Sequence, residues 1–110
     1  MKLSKAQEKI LTDAKAKIDF ARSCNTYEEY EYKHNYYWKG RYTLEEARAK
    51  ILEHDNECDN FYSNLYEEYK KGKALVTANS RTIEKLEELG LIKVIDIGGS
   101  YPDLIEVIGY

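Results

Sequence analysis

The first apolar positions, Ala6, Ile10, Leu11, Ala14, Ile18 and Ala21, recur at steps of three and four residues. That spacing lays one stripe along a helix, with Lys5, Lys9, Asp13, Lys15 and Lys17 over much of the remaining surface. Ser4 and Gln7 form a capping box, in which each side chain satisfies the other's backbone N–H. A helix is therefore predicted over about 4–22. Thr26 and Glu29 repeat the signature ahead of Tyr27, Tyr30, His34 and Tyr37, which predicts a short helix over 27–35 and then a loop around Gly40.

A third capping box, Thr43 with Glu46, opens the pattern Ala47, Ile51, His54, Cys58, Phe61, Leu65. A single helix from there to Lys71 would be ~42 Å long at ~1.5 Å per residue, longer than so small a domain is wide. Asp55, Asn56, Asp59 and Asn60 are poor helix formers, so a bend or gap is expected among them, with Gly72 as the end. Beyond it, Asn79 or Ser80 caps a helix over 79–89 whose inward positions are Ile83, Leu86 and Leu89. Gly90 suits the left-handed C′ position, and Leu91 can then touch Leu86 as in a Schellman motif. The runs Leu91–Ile97 and Leu104–Ile108 flank Gly98–Asp103 and read as an antiparallel hairpin. The expected fold is α+β: one domain over 1–110, with three to four helices and a C-terminal β-hairpin.

The stretch Asn79-Ser80-Arg81-Thr82-Ile83-Glu84-Lys85-Leu86-Glu87-Glu88-Leu89-Gly90-Leu91-Ile92, followed by a hairpin, resembles the recognition helix and wing of a winged helix-turn-helix domain. Leu3–Leu11 resembles the opening helix of that fold in phage and bacterial regulators. The resemblance covers 75–110 and, more loosely, 3–18. It leaves about 23–74 as an aromatic, acidic insertion where the family has only a short second helix. It implies DNA-reading residues at the start of the recognition helix: Asn79, Ser80, Arg81, Thr82 and Lys85. Arg suits guanine edges, and Asn, Ser or Thr reach bases or phosphates.

Charge argues for a different partner. The chain carries 17 Lys and Arg against 20 Asp and Glu, a net −3. Residues 1–23 hold six basic and three acidic side chains, whereas 74–110 hold three basic and six acidic. The hairpin loop has no Lys or Arg, and DNA affinity depends on cations displacing counterions. Apart from Tyr101 and Tyr110, every Tyr and Phe lies between Phe20 and Tyr69. Phe20, Phe61, Tyr62, Tyr66 and Tyr69 at helical positions are expected in the core, with hydroxyls reaching the surface. Tyr36, Tyr37, Trp38, Arg41 and Tyr42 are side-chain types of binding hot spots or, equally, rings that close one end of the core. Glu28, Glu29 and Glu31, then Glu53, Asp55, Glu57 and Asp59, are candidate acidic contacts.

The function expected is a non-enzymatic protein that binds and modulates a host protein such as a basic nucleic-acid enzyme, as anti-CRISPR proteins do. The alternative is a sequence-specific DNA-binding regulator, with a homodimer possible in either case. No apolar run approaches ~18 residues and the first residues lack a signal peptide's apolar stretch, so a cytoplasmic location away from membranes is expected. Cys24, His34, His54 and Cys58 lack zinc-site spacing, and Asp55–Asn60 lacks the Gly and closing Glu of a calcium loop. No nucleophile elbow or dinucleotide loop is present, so no enzyme, metal or cofactor is expected.

Overall fold

Local capping sets most of the element boundaries. The computed structural model describes residues 2–96 and 103–110; the Gly98–Pro102 turn expected within the hairpin, and Ile97 before it, lie outside the described residues. Helix α1 (Lys5–Arg22) opens on the full capping box, with the Gln7 N–H donating to Ser4 Oγ at 3.2 Å and the Ser4 N–H donating to Gln7 Oε1 at 2.8 Å. Helix α2 (Tyr27–His34) is capped by Thr26, whose Oγ1 accepts the Glu29 N–H at 3.2 Å, but the expected box is only half formed, because the Glu29 carboxylate accepts the Asn25 N–H in place of that of Thr26. The expected loop after it is a one-turn helix, α3 (Tyr36–Lys39), because Asn35 supplies a further cap by accepting the Tyr37 N–H at 3.0 Å. Helix α4 (Leu44–Glu57) opens on the Thr43–Glu46 box.

The break falls where the poor helix formers cluster. Asp59 and Asn60 sit in the left-handed region at φ 57° and 60°, a conformation that short polar side chains tolerate better than most. Helix α5 (Phe61–Lys70) follows, and then β1 (Lys73–Val76), α6 (Ser80–Glu88), β2 (Ile92–Asp96) and β3 (Asp103–Val107). Asn79, not Ser80, caps α6. The helix closes as a Schellman motif: the Leu91 N–H donates to Leu86 O at 3.1 Å and the Gly90 N–H to Glu87 O at 2.9 Å. Gly90 has φ 75°, which glycine adopts without a Cβ clash. The described residues thus form an α+β fold with six helices, more than the three to four expected, and a three-stranded antiparallel sheet ordered β1-β3-β2. Ala74 and Val94 both face Ile105 across the central strand.

The molecule is elongated, 47 × 24 × 22 Å. At one end α1 packs on β1, β3, α5 and α6; at the other, α2 packs on α3, α4 and α5. Of the apolar stripe on α1, Ala6 at the start of the helix is exposed and Leu11 is half-buried, whereas Ile10, Ala14, Ile18 and Ala21 are buried. They share a core with Val76, Ile83, Leu86, Ile92, Ile105 and Val107. The aromatic half of that core holds Tyr27, Tyr30, Trp38, Tyr66 and Tyr69, beside Ala47 and Ile51. The seam drawn through Ala47 and Ile51 does not continue, because His54 and Phe61 are exposed. Of the five aromatics expected inside, Tyr66 and Tyr69 are buried, whereas Phe20, Phe61 and Tyr62 are 37%, 56% and 40% exposed. The left-handed turn restarts α5 with a new rotational phase, so different positions face inward.

Burial pushes the phenols of Tyr27, Tyr30, Tyr66 and Tyr69 above the ordinary value of 10.0. For Tyr27 the nearby Glu31 and Asp55 add to that shift. A folded-state pKa above the unfolded one stabilises fully below the unfolded value and is lost as pH rises above it. Unfolding free energy in urea should therefore fall steadily as pH rises above ~10, with part of the phenolate absorbance appearing only as helical circular dichroism disappears. Complete tyrosine ionisation with the dichroism intact would contradict this.

Candidate functional site

The aromatic cluster of α3 is organised from inside by one carboxylate. Glu31 is 8% exposed, and its Oε2 accepts the Trp38 indole N–H at 2.9 Å and the Asn35 side-chain amide at 3.0 Å. Those bonds pin the buried Trp38 ring. The Tyr37 ring meets it edge-on at 4.9 Å, and Tyr42 lies tilted at 6.3 Å, with the Tyr32 hydroxyl donating to Tyr42 O at 2.7 Å. The Arg41 guanidinium stands 4.3 Å from the Tyr37 ring centre, a cation–π contact.

From Trp38 the contacts continue across the arm. Trp38 meets His54 at 6.3 Å, His54 stacks on Tyr62 at 5.9 Å, and Tyr62 meets Phe61 edge-on at 5.2 Å. The result is one line, Arg41–Tyr37–Trp38–His54–Tyr62–Phe61, running from α3 over α4 to α5. Trp38 is its buried member. Tyr37, Tyr62 and Phe61 are exposed, and Tyr36 beside them is 77% exposed. Phe61 also lines an open groove of ≈ 450 Å³ with Asp59, Leu65 and Glu68.

The acidic candidates separate into two kinds. Glu53, Glu57 and Asp59 are exposed and flank the aromatic line in sequence. Glu28 is half-buried. Glu29, also half-buried, accepts from Lys33 Nζ at 2.8 Å and from the Asn25 N–H at 2.9 Å. The Lys33 ammonium, then the Asn25 amide, hold its carboxyl below the usual range. Glu31 and Asp55, expected on the acidic surface, are inside instead. Asp55 is 3% exposed, and its Oδ1 accepts the N–H groups of Tyr62 and Ser63, both at 3.0 Å. It does the capping that the N-cap Asn60 side chain does not do.

On α6 the proposed DNA readers are divided. Asn79 Oδ1 is occupied by the Arg81 N–H at 2.8 Å, Thr82 is half-buried, and Ser80, Arg81 and Lys85 are exposed. Lys85 lies 3.7 Å from Glu88, and Glu87 accepts the Val94 N–H at 2.9 Å, tying the helix to β2. Cys24 is buried, His34 stacks on Tyr30 at 5.1 Å and His54 belongs to the aromatic line. Among the described residues no three His, Cys, Asp or Glu side chains are grouped to hold a metal ion.

Sequence reasoning missed His54, Tyr62 and Phe61 as surface residues: within α4 the inward row runs Ala47, Ile51, Asp55 and leaves His54 outside, and the spacing does not carry across the break to Phe61 and Tyr62. The only available signal was the run of poor helix formers, since a break cancels the phase of everything after it. No family model matches the chain, and no curated protein or solved structure matches it either.

Glu31→Ala and Asp55→Ala each strand buried N–H donors. Each should cost about 1–3 kcal/mol in urea unfolding, against less than ~0.5 kcal/mol for the exposed Glu57→Ala. Equal stability of all three variants would show that the two buried carboxylates do not support the arm.

Proposed function

We propose that this chain is a non-enzymatic binding protein that docks on and modulates a host protein, in the manner of anti-CRISPR and other small phage inhibitors acting in the cytoplasm. The observation that carries the reading is the aromatic line from Arg41 to Phe61, held from below by Trp38 and open to solvent along its outer edge. Tyr, Trp and Arg dominate binding hot spots because they desolvate large areas while losing few rotamers. Here the rings already brace one another, so little ordering remains to be done on binding. Glu53, Glu57 and Asp59 beside the line suit a basic partner surface, such as the nucleic-acid channel of an enzyme, where complementary potentials speed encounter.

The rest of the fold is compatible with a winged-helix scaffold. The likeness of residues 75–110 implies a recognition helix followed by a two-stranded wing, and α6 followed by the antiparallel pair β2–β3 supports that reading. A second reading, a DNA-binding regulator acting as a homodimer, draws on the solvent face of α6, where Arg81 and Lys85 stand four residues apart and both exposed. Glu84 and Glu88 on the same helix weaken that reading.

The deciding measurement is binding to the partner recovered from host lysate. Tyr37→Ala and Phe61→Ala should each weaken it at least about tenfold, the hot-spot scale, at unchanged melting temperature. Arg81→Ala should leave it alone, and the association rate should fall with added salt. A mobility shift on promoter DNA that disappears in Arg81→Ala, with both aromatic variants binding as wild type, would replace the first reading by the second.

A further inference from the structure

A second concavity has the opposite chemistry. It lies between α1, α2 and α5, measures ≈ 550 Å³, and is lined by none of the residues in the Arg41–Phe61 line. Its floor is formed by the buried rings of Tyr30 and Tyr69. Phe20 and His34 rise on either side of Tyr30, at ring distances of 5.5 and 5.1 Å, and both present ring surface to solvent. Lys17 and Lys33, with Ala16, add to the lining, and among the described residues no carboxylate is part of it.

The two lysines are not equivalent. Lys33 is committed to Glu29 at 2.8 Å. Lys17 donates one hydrogen bond, to Leu75 O at 2.5 Å, and makes no ion pair among the described residues. An ammonium has three donors, so Lys17 brings an uncompensated charge and two remaining N–H groups to the edge of an aromatic groove. It stands on α1, within the net-basic first part of the chain.

We propose that this groove binds a single nucleotide, its base against the exposed rings of Phe20 and His34 and its phosphate on Lys17. Flat π faces suit any base, and the volume falls within the range of roughly 300–1,000 Å³ typical of small-molecule sites. A bare anion would leave the rings unused, and a purely apolar ligand would leave Lys17 unpaired. The length is limited by charge. Ala16 and Lys17 also line a neighbouring, smaller concavity of ≈ 300 Å³ with Ile10, Asp13, Val76 and Thr77. Asp13 there is paired to Lys9 at 3.1 Å, and its carboxylate disfavours a second phosphate.

The test is titration of the full chain with adenosine monophosphate, followed by calorimetry and by amide chemical shifts. Saturable binding with shifts at Lys17, Phe20 and His34 is expected, with adenosine and inorganic phosphate each about tenfold weaker. Lys17→Gln keeps an N–H donor but removes the charge, and should weaken binding about tenfold; Phe20→Leu should do likewise at unchanged melting temperature. Tyr37→Ala should bind the nucleotide as wild type, which separates this site from the protein-docking line. No saturation at ~10 mM, phosphate binding as well as the nucleotide, or indifference to Lys17→Gln would overturn the proposal. So would a single strand of about four nucleotides binding more than tenfold tighter, since that marks a strand-tracking surface.

Discussion

The fold turns on one fully buried phenol. Tyr66 on α5 is 1% exposed, and its hydroxyl donates to Cys24 O at 2.8 Å, just beyond the end of α1. Its ring lies 6.2 Å from Tyr27 and 5.1 Å from Tyr30, both on α2. A side chain there must fill an apolar space and also satisfy a carbonyl that α1 leaves open, which tyrosine does and phenylalanine does not. That one contact joins α5, the α1–α2 turn and α2, so the sheet end and the helical arm share a joint instead of forming two cores.

The tyrosine excess follows from that joint. Where helices end on one another, unpaired carbonyls and amides accumulate in places too narrow for water, and phenols supply both bulk and a donor. Tyr32 serves Tyr42 O in the same way, and in the last turn of α1 the Tyr110 hydroxyl donates to Asp19 Oδ1 while Arg22 Nη1 donates to Tyr110 O. Rings left over at the edges of these contacts produce the two aromatic surfaces. One lies among the exposed acids of α4 and the turn after it, the other beside the lysines of α1 and α2, so their charge environments differ although the net charge is only −3.

Capping was the most legible layer. Ser4–Gln7, Thr26–Glu29, Thr43–Glu46 and the Gly90–Leu91 stop all act within one helical turn, so their residues are neighbours in the chain as well as in space. The break at Cys58–Asn60 was legible for the same reason. Phase was not. Once Asp59 and Asn60 take left-handed angles, the inward side of α5 depends on how it meets α1 and α2, and the spacing of earlier apolar residues carries no information about it. Phe61 and Tyr62 came out exposed on that account, whereas Tyr66 and Tyr69 went in.

The candidate surfaces divide along the same boundary. Composition alone marked Tyr36–Tyr42 as an aromatic segment worth attention, and charge alone marked α1 as basic. It took tertiary packing to send Glu31 and Asp55 inward as partners for Trp38 and for the start of α5. Packing likewise carried the aromatic line through His54 to Phe61, and brought Phe20, His34 and Lys17 to one groove. Periodicity, caps and charge balance are local properties, and the sequence by itself determined α1, α2, α6, the start of α4, the hairpin and the uneven charge. Which side chains meet across 20 or more residues depends on the packing of whole elements, and that only the tertiary structure decided.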